Sequence, residues 1–283
     1  MERLKGKVAV ITGSTRGIGL ALAKAFRDEG AAVMICGRSQ ASVESAVHQL
    51  RTNGGDIGGV AVDVTDLDQV DALARQTIQE FGRLDIWVNN AGYTGPYGPT
   101  LDVHPQTFFR VMQVNMIGVY YGSRVAMRHF VKQHQGKLIN LLGHGAKGPL
   151  PFQNAYGSSK IWVRNFTKAL AEETRDLGVG VFSYSPGMVL TDMLTDVEVI
   201  LGSEQRLKNF GTVLRIWAKP PEAVTEKAIW LASSATDGRT GLEVFHLSKG
   251  MLLVGALREG LRSLLRRPAP TIDVKTRVIP PAN

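Results

Sequence analysis

KVAVITGSTRGIGLALAKAF, residues 7–26, runs from an apolar stretch through a glycine-rich loop into an amphipathic helical pattern. The apolar run at 7–12 carries no alternation, which suits a strand buried on both faces of a parallel sheet. In the loop, Gly13 permits a tight turn, and Gly17 and Gly19 let backbone approach a pyrophosphate and let helix approach sheet. The helix that follows presents unpaired N–H groups at its start, a ready place for phosphate. Ser14, Thr15, Arg16 and Ile18 complete the loop and are expected to border the same ligand. A glycine turn without a ligand is the bland alternative, and the strand–turn–helix context argues against it.

The pattern repeats along the chain. Further strand candidates lie at 32–36, 59–62, 85–89, 137–142, 179–185 and 242–247. Helical periodicity predicts segments at 18–29, 39–53, 66–81, 106–133, 154–177 and 221–233. This alternation predicts an α/β fold: one Rossmann-type domain with a doubly wound parallel sheet of about seven strands. No internal repeat or linker divides it, so residues 1–250 read as one domain and 251–283 as a basic C-terminal extension. The connection at 188–219 is too long for a simple loop and reads as a lid over a pocket.

Composition narrows the function. A chain of 283 residues, 44% hydrophobic and 20% charged, is ordinary for a soluble globular protein. A single cysteine, Cys36, excludes an internal disulfide framework and suits a reducing compartment. The run at 8–12 is too short for a signal peptide and nothing reaches the length of a membrane span, so a cytoplasmic location is expected. The net charge is +8, and half of it sits in residues 251–283, where Arg258, Arg262, Arg266, Arg267, Lys275 and Arg277 face only Glu259 and Asp273. No aromatic-interleaved basic motif accompanies this charge, so a nucleic-acid partner is not expected; an anionic cofactor and a basic tail explain it. In that tail Leu253, Leu257, Leu261 and Leu264 recur at helical spacing beside Arg258, Arg262 and Arg266, and Pro268 and Pro270 stop the helix before an extended remainder.

The second strand selects the cofactor. Enzymes that use NAD place an acid near its end to accept from the ribose 2′-hydroxyl. Here VMICGRS, residues 33–39, has Gly37 and Arg38 instead, and Arg16 in the glycine loop can reach the same region. Two guanidinium groups and no carboxylate suit a 2′-phosphate, so the expected cofactor is NADP(H). Two solvated surface arginines would be the plainer account.

With these motifs assembled, residues from about 4 to 250 resemble the short-chain dehydrogenase/reductase family. The likeness rests on TGSTRGIG at 12–19, DV at 63–64, NNAG at 89–92, Asn115 within VMQVN, YGSSK at 156–160 and SPGMVLT at 185–191. It implies that Asp63 and Val64 lie near the adenine, that Asn89, Ala91 and Gly92 line the cofactor groove, and that Pro186, Gly187 and Thr191 meet the nicotinamide end. It also implies that Tyr156 is the general acid in reduction or base in oxidation, that Lys160 holds the nicotinamide ribose, and that Asn115 anchors a proton-relay water. Spacing agrees in part: Tyr156 and Lys160 stand four residues apart, on one face of a helix. A lysine, with an oxidised nicotinamide, is expected to lower the phenol pKa from about 10. No metal site is expected. Homodimers or homotetramers are common among similar proteins.

One position departs from the pattern. The family carries a serine about 13 residues before the tyrosine, where it holds the substrate carbonyl; here the residue is Gly143. Loss of such a donor costs a few kcal/mol of transition-state stabilisation, roughly 10²–10³ in rate, unless replaced. Three readings stay open: His144 or a backbone N–H of the 143–145 loop donates instead, the bare loop makes room for a bulky substrate, or the chemistry is no longer ordinary carbonyl reduction. Ser158 and Ser159 are poor substitutes, because residues at those positions pack the helix in similar proteins. The stretches GHGAKGPLPFQNAYGSSK, SPGMVLTDML and LKNFGTVLRIWAKPPEAV, with the basic apolar tail, are similar to chlorophyll b reductases, which reduce a formyl group on a large ring. The expected activity is hydride transfer to or from a carbonyl of a sizeable hydrophobic substrate, with Met188 beside it and the tail either packing a subunit or touching a membrane surface. The rivals are an isomerising enzyme on the same scaffold and a cofactor-binding sensor without turnover.

Overall fold

A computed structural model describes residues 2–52, 54–265, 269 and 272–282. Nine strands form: β1 Val8–Ile11, β2 Ala32–Gly37, β3 Ile57–Ala61, β4 Ile86–Asn89, β5 Lys137–Leu141, β6 Gly180–Ser185, β7 Asp196–Ile200, β8 Glu243–Phe245 and β9 Lys275–Ile279. Seven of them build one parallel sheet in the order β3-β2-β1-β4-β5-β6-β8. All seven strands expected from the apolar runs are present, with ends shifted by a few residues. The order reverses between β1 and β4, and the C-terminal ends of these two strands open the crevice where ligands of doubly wound sheets bind.

Helices cover both faces: α1 Gly17–Asp28, α2 Gln40–Arg51, α3 Leu67–Phe81, α4 Pro105–Met112, α5 Gly118–Lys132, α6 Asn154–Glu173, α7 Asp192–Thr195, α8 Phe210–Trp217, α9 Glu226–Ala232 and α10 Lys249–Leu264. One core layer joins Leu22 and Phe26 of α1 and Ile229 and Leu231 of α9 to Ile11, Ile35 and Phe182 of the sheet. The other joins Leu73 of α3 and Val125 and Phe130 of α5 to Val10, Met34 and Trp87. Strands β1 to β6 therefore feed side chains to both layers, which is why their runs read as largely unbroken apolar sequence. Local signals end the helices as expected: Asp66 caps α3 by accepting from the N–H groups of Asp68 and Gln69, and Gly82 closes it in the left-handed region at φ 79°.

The continuous helix expected at 106–133 is interrupted. Residues Gln113–Ile117 form a π-helical turn between α4 and α5. The extra residue per turn brings Asn115 to a fully buried position, where its amide bonds to backbone and side chain from two other segments. Such partners lie far away in sequence, so periodicity alone could not reveal the break. The segment at 221–233 likewise splits into a 3₁₀ turn, Pro221–Val224, and the short α9.

The 188–219 segment is not a bare loop. It holds α7, β7 and α8, and the extended end of the tail supplies β9, which pairs in parallel with β7 from Asp196↔Lys275 to Ile200↔Ile279. On its other side β7 bridges Tyr97 through Val199. Arg277 on β9 reaches Asp196 at 3.1 Å, and the Ala282 N–H donates to the Asp102 carbonyl at 2.8 Å. The helix of the tail packs on α8: Trp217 Nε1 donates to the Leu252 carbonyl at 3.2 Å, and Glu259 accepts from Arg215 at 2.7 Å and Arg262 at 2.6 Å. The sequence sets 251–283 apart as an extension, yet both of its elements pack on the 188–219 segment. Arg266, Arg267, Pro268 and Pro270 lie outside the described residues.

Candidate active site

The glycine loop leaves β1 at Ile11 and enters α1 at Gly17. Gly13 sits at φ +62°, and a Cβ there would lie 2.8 Å from the Cα of Ala91, so the turn requires glycine twice over. Arg16 is the N-cap of α1 but makes no side-chain cap bond, and the first turn holds no acid. Its N–H groups are thus left to a ligand, in a field that favours negative charge. Thr191, from the segment after β6, closes the cradle, its Cγ2 3.1 Å from where a Cβ of Gly17 would stand. These are the donors and the space that a dinucleotide pyrophosphate requires, so the residues fit such a cofactor.

Several expected contacts are spent elsewhere. Ser14 is fully buried, its hydroxyl donating to the Ile11 carbonyl at 2.5 Å and accepting from the Cys36 N–H at 3.1 Å, and its own N–H donating to the Cys36 carbonyl at 2.9 Å, so neither donor is left for a ligand. Asn89 is buried in a network with Trp87 Nε1 (2.8 Å), Ser123 Oγ (3.1 Å) and Asn140 Oδ1 (2.8 Å), and its amide holds β4 to β5 and α5. Its neighbour Asn90 faces the glycine loop: its Nδ2 donates to the carbonyls of Thr12 (2.8 Å) and Gly13 (2.9 Å) and braces that turn. The signal was available in NNAG, where both asparagines stand side by side. Val64 packs against α5, its Cγ2 2.9 Å from where a Cβ of Gly118 would lie. Asp63 accepts from Thr65 Oγ1 at 2.8 Å and Arg110 at 3.2 Å.

At the end of β2 the missing acid has a steric reason. A Cβ at Gly37 would stand 2.7 Å from the Thr15 methyl, so the glycine loop lies directly on this position. Arg38 beside it is exposed and makes no hydrogen bond or ion pair among the described residues. Arg16, expected near Arg38, instead pairs with Asp192 of α7 at 3.1 Å. Both partners of that pair are exposed, so the interaction is weak and screened.

The first turns of α6 place Tyr156 and Lys160 at the C-terminal end of β5. Lys160 is buried, its Nζ donating to the Leu141 carbonyl at 3.1 Å and lying 5.7 Å from the centre of the Tyr156 ring. Burial pushes the Lys160 ammonium down to about 8 and the Tyr156 phenol up to about 12. The lowered phenol pKa expected from sequence is therefore not a property of this pair by itself, because burial raises it. Asn115 lies one layer behind: its Oδ1 accepts from the Tyr93 N–H at 2.8 Å, and its Nδ2 donates to the Tyr93 carbonyl at 2.9 Å and to Ser159 Oγ at 3.0 Å. Ser159 in turn donates to the Tyr156 carbonyl at 2.7 Å. Ser159, which sequence reasoning left out of the site, joins Asn115 to α6, and Tyr93, also left out, holds the other end of its amide.

Gly143 touches Tyr156 itself. A Cβ at Gly143 would overlap the phenol hydroxyl and lie 2.9 Å from Cζ. One step on, a Cβ at Gly145 would lie 2.7 Å from the Cα of Gly157, so the whole 143–145 loop rests on the first turn of α6. The N–H groups of Gly143, His144 and Gly145 donate to no acceptor among the described residues. The His144 side chain is exposed and likewise makes no hydrogen bond, and Met188 is half-buried, its carbonyl accepting from the Lys219 N–H at 2.9 Å. The room that a bare glycine offers is thus taken by the tyrosine. Gly143→Ser should displace the Tyr156 hydroxyl by roughly 1 Å or more, the shift needed to restore ordinary van der Waals separation. A crystal structure of the variant with the ring unmoved would refute this.

Comparison with known proteins agrees with this geometry. The sequence model for short chain dehydrogenases matches residues 7–199. The chain is 34% identical over 261 residues to 3beta-hydroxysteroid dehydrogenase 1 of Eggerthella lenta, covering 92% of this chain and 98% of that protein. It is also 34% identical over 204 residues to the probable chlorophyll(ide) b reductase NYC1 of Arabidopsis thaliana, covering 65% of this chain but 41% of that larger protein. Among solved structures, a gluconate 5-dehydrogenase from Burkholderia cenocepacia J2315, in complex with NADP and tartrate, superposes with a TM-score of 0.77 at 27% identity over 89% of this chain and 97% of that one. A seven-stranded parallel Rossmann-type sheet, a glycine loop built for a nicotinamide dinucleotide, and these matches lead to one assignment: the chain belongs to the short-chain dehydrogenase/reductase family of oxidoreductases.

Proposed function

We propose that this oxidoreductase uses NADP(H) to reduce a carbonyl of a sizeable hydrophobic substrate, or to run the reverse oxidation. The observation that carries the reading is the Tyr156–Lys160 pair, the lysine buried and the phenol half-buried, kept in its protonated form with its hydroxyl against the backbone of Gly143. Bound NADPH would supply the hydride. Tyr156 then delivers the proton to the forming alkoxide, a role that suits an acid kept neutral by burial. Lys160, with one N–H spent on Leu141, keeps donors for the nicotinamide ribose. The unpaired N–H groups of the 143–145 loop support the reading in which backbone replaces the missing serine hydroxyl. The exposed His144 does not favour the side-chain version of that idea.

For the cofactor, the space at Gly37 taken by Thr15 and the unpartnered Arg38 support a 2′-phosphate over a 2′-hydroxyl. Arg16 can join once it leaves its exposed pair with Asp192. For the substrate, the names of two relatives point to polycyclic compounds, a hydroxysteroid and a chlorophyll(ide), and a formyl group on a large ring is the finer proposal. A self-association face is supported by Phe109, Ile117 and Tyr120, apolar and exposed on α4, the π-helical turn and α5.

Consumption of NADPH with a panel of polycyclic aldehydes and ketones tests the reading. Tyr156→Phe should lower turnover at least roughly 10²-fold while NADPH affinity stays within about threefold; full activity in this variant would sink the mechanism. Arg38→Ala should reduce the preference for NADPH over NADH by roughly tenfold or more, the loss of one charge-assisted contact. An unchanged ratio of kcat/KM for the two cofactors would remove the argument from β2. The lysine gives a pH test. Its pKa is about 8 in the folded chain and near 10.5 when unfolded, so below pH 8 the fold carries the full cost of a buried ammonium. Lys160→Met should therefore raise stability at pH 7 by about 1–3 kcal/mol, less what the Leu141 carbonyl loses. That gain should fade as pH rises from 8 toward 10.5, where the wild-type lysine sheds its proton on its own; urea melts across this range measure it.

A further inference from the structure

The face of α10 turned away from the lid has no partner among the described residues. Leu253, Val254, Leu257, Leu261 and Leu264 are each between 58% and 79% exposed, although every one is a large aliphatic side chain. At helical pitch they share one stripe, about 100° wide. The opposite side is fully engaged. Gly255 lies against Trp217, where a Cβ would be 2.9 Å from Nε1, and Glu259 accepts from Arg215 and Arg262. The exposure is therefore not that of a frayed end; one side of the helix is anchored while the other presents leucines.

Charge indicates what covers the stripe. Glu259 is the only acid in α10, and it faces inward between two arginines. Arg258, at the border of the stripe, is exposed and has no acidic partner among the described residues. Two copies of the chain meeting along this face would bring Arg258 toward another cationic border with no carboxylate to offset it. An anionic bilayer surface satisfies both features, since its headgroups pair with arginine and its acyl boundary accepts the leucines. No helix among the described residues is long and apolar enough to cross a membrane, so α10 would lie along the surface.

We infer that α10 is a docking helix for an anionic lipid surface, with the 253–264 stripe buried at the interface and Arg258 on the headgroups. Because α10 is packed on α8 of the 188–219 segment, the docked bilayer sits beside the lid. The inference does not depend on the substrate or on turnover.

The test is flotation of the full-length chain with large unilamellar vesicles of phosphatidylcholine alone and of phosphatidylcholine with roughly one third phosphatidylglycerol. The wild type should float with the anionic vesicles, more weakly with the neutral ones, and less as salt rises. Leu257→Asp with Leu261→Asp should lower the bound fraction roughly tenfold or more, since both side chains would lose apolar burial. Arg258→Glu should lower binding to the anionic vesicles about fivefold or more and leave the neutral ones nearly unchanged. Both variants change exposed positions, and unaltered circular dichroism and NADPH binding would show that they fold. Absence of flotation by the wild type, or equal flotation by the leucine variants, overturns the inference. A wild-type dimer that the leucine changes dissociate, with no vesicle binding, would overturn it in favour of a second copy on this face.

Discussion

The hydroxyl of Tyr156 rests against the Cα of Gly143, and no residue with a side chain could stand there without moving it. From this contact the rest of the centre follows. The 143–145 loop can lie flat on the first turn of α6 because Gly145 has no Cβ to strike the Cα of Gly157, and Gly157 in turn leaves room for Leu150. The N–H groups of that loop then remain without an acceptor among the described residues, beside the phenol. Burial under the same loop keeps the phenol protonated, near 12, and lowers the neighbouring ammonium to about 8. A departure from the family's usual serine is thus accommodated by a rearranged seat for the acid rather than by an open hole.

Behind the site, buried polar groups hold the elements in register. Asn89, Asn140, Ser123 and the Trp87 indole form one network across β4, β5 and α5, and Thr167 of α6 adds to it through Asn140 at 3.0 Å. Asn115 joins the 92–93 backbone to Ser159 through a π-helical turn. Each of these groups is costly to bury unpaired, so their mutual satisfaction favours a single arrangement of the helices that carry Tyr156 and Lys160. The position of Tyr156 is therefore held by amides some distance from it.

The lid is joined to the end of the chain in two places. β7 lies between Tyr97 and β9, and α8 lies under α10. Tyr97 also stacks on Phe152, over which Arg206 of the lid sits 4.1 Å from the ring centre. The 188–219 segment is consequently fixed by residues from the tail at both β7 and α8.

Much of this was legible in the sequence. The alternation of apolar runs and helical periodicity determined the parallel sheet, because strand burial and helix amphipathicity are written in neighbouring residues. The glycine loop and the four-residue spacing of Tyr156 and Lys160 identified the two halves of the candidate site for the same reason: a turn and a helix face are local. What depended on distant partners was not legible. Asn89 and Asn90 are adjacent and chemically identical, yet one belongs to the core network and the other to the glycine loop, according to the face of β4 each meets. Arg16 turned to Asp192 instead of Arg38, and the 275–279 strand found β7, through contacts that no window of sequence contains. Gly143 shows the division most plainly. The sequence alone established that a hydroxyl was absent, whereas only the packing of the loop on α6 decided that the vacated space belongs to Tyr156.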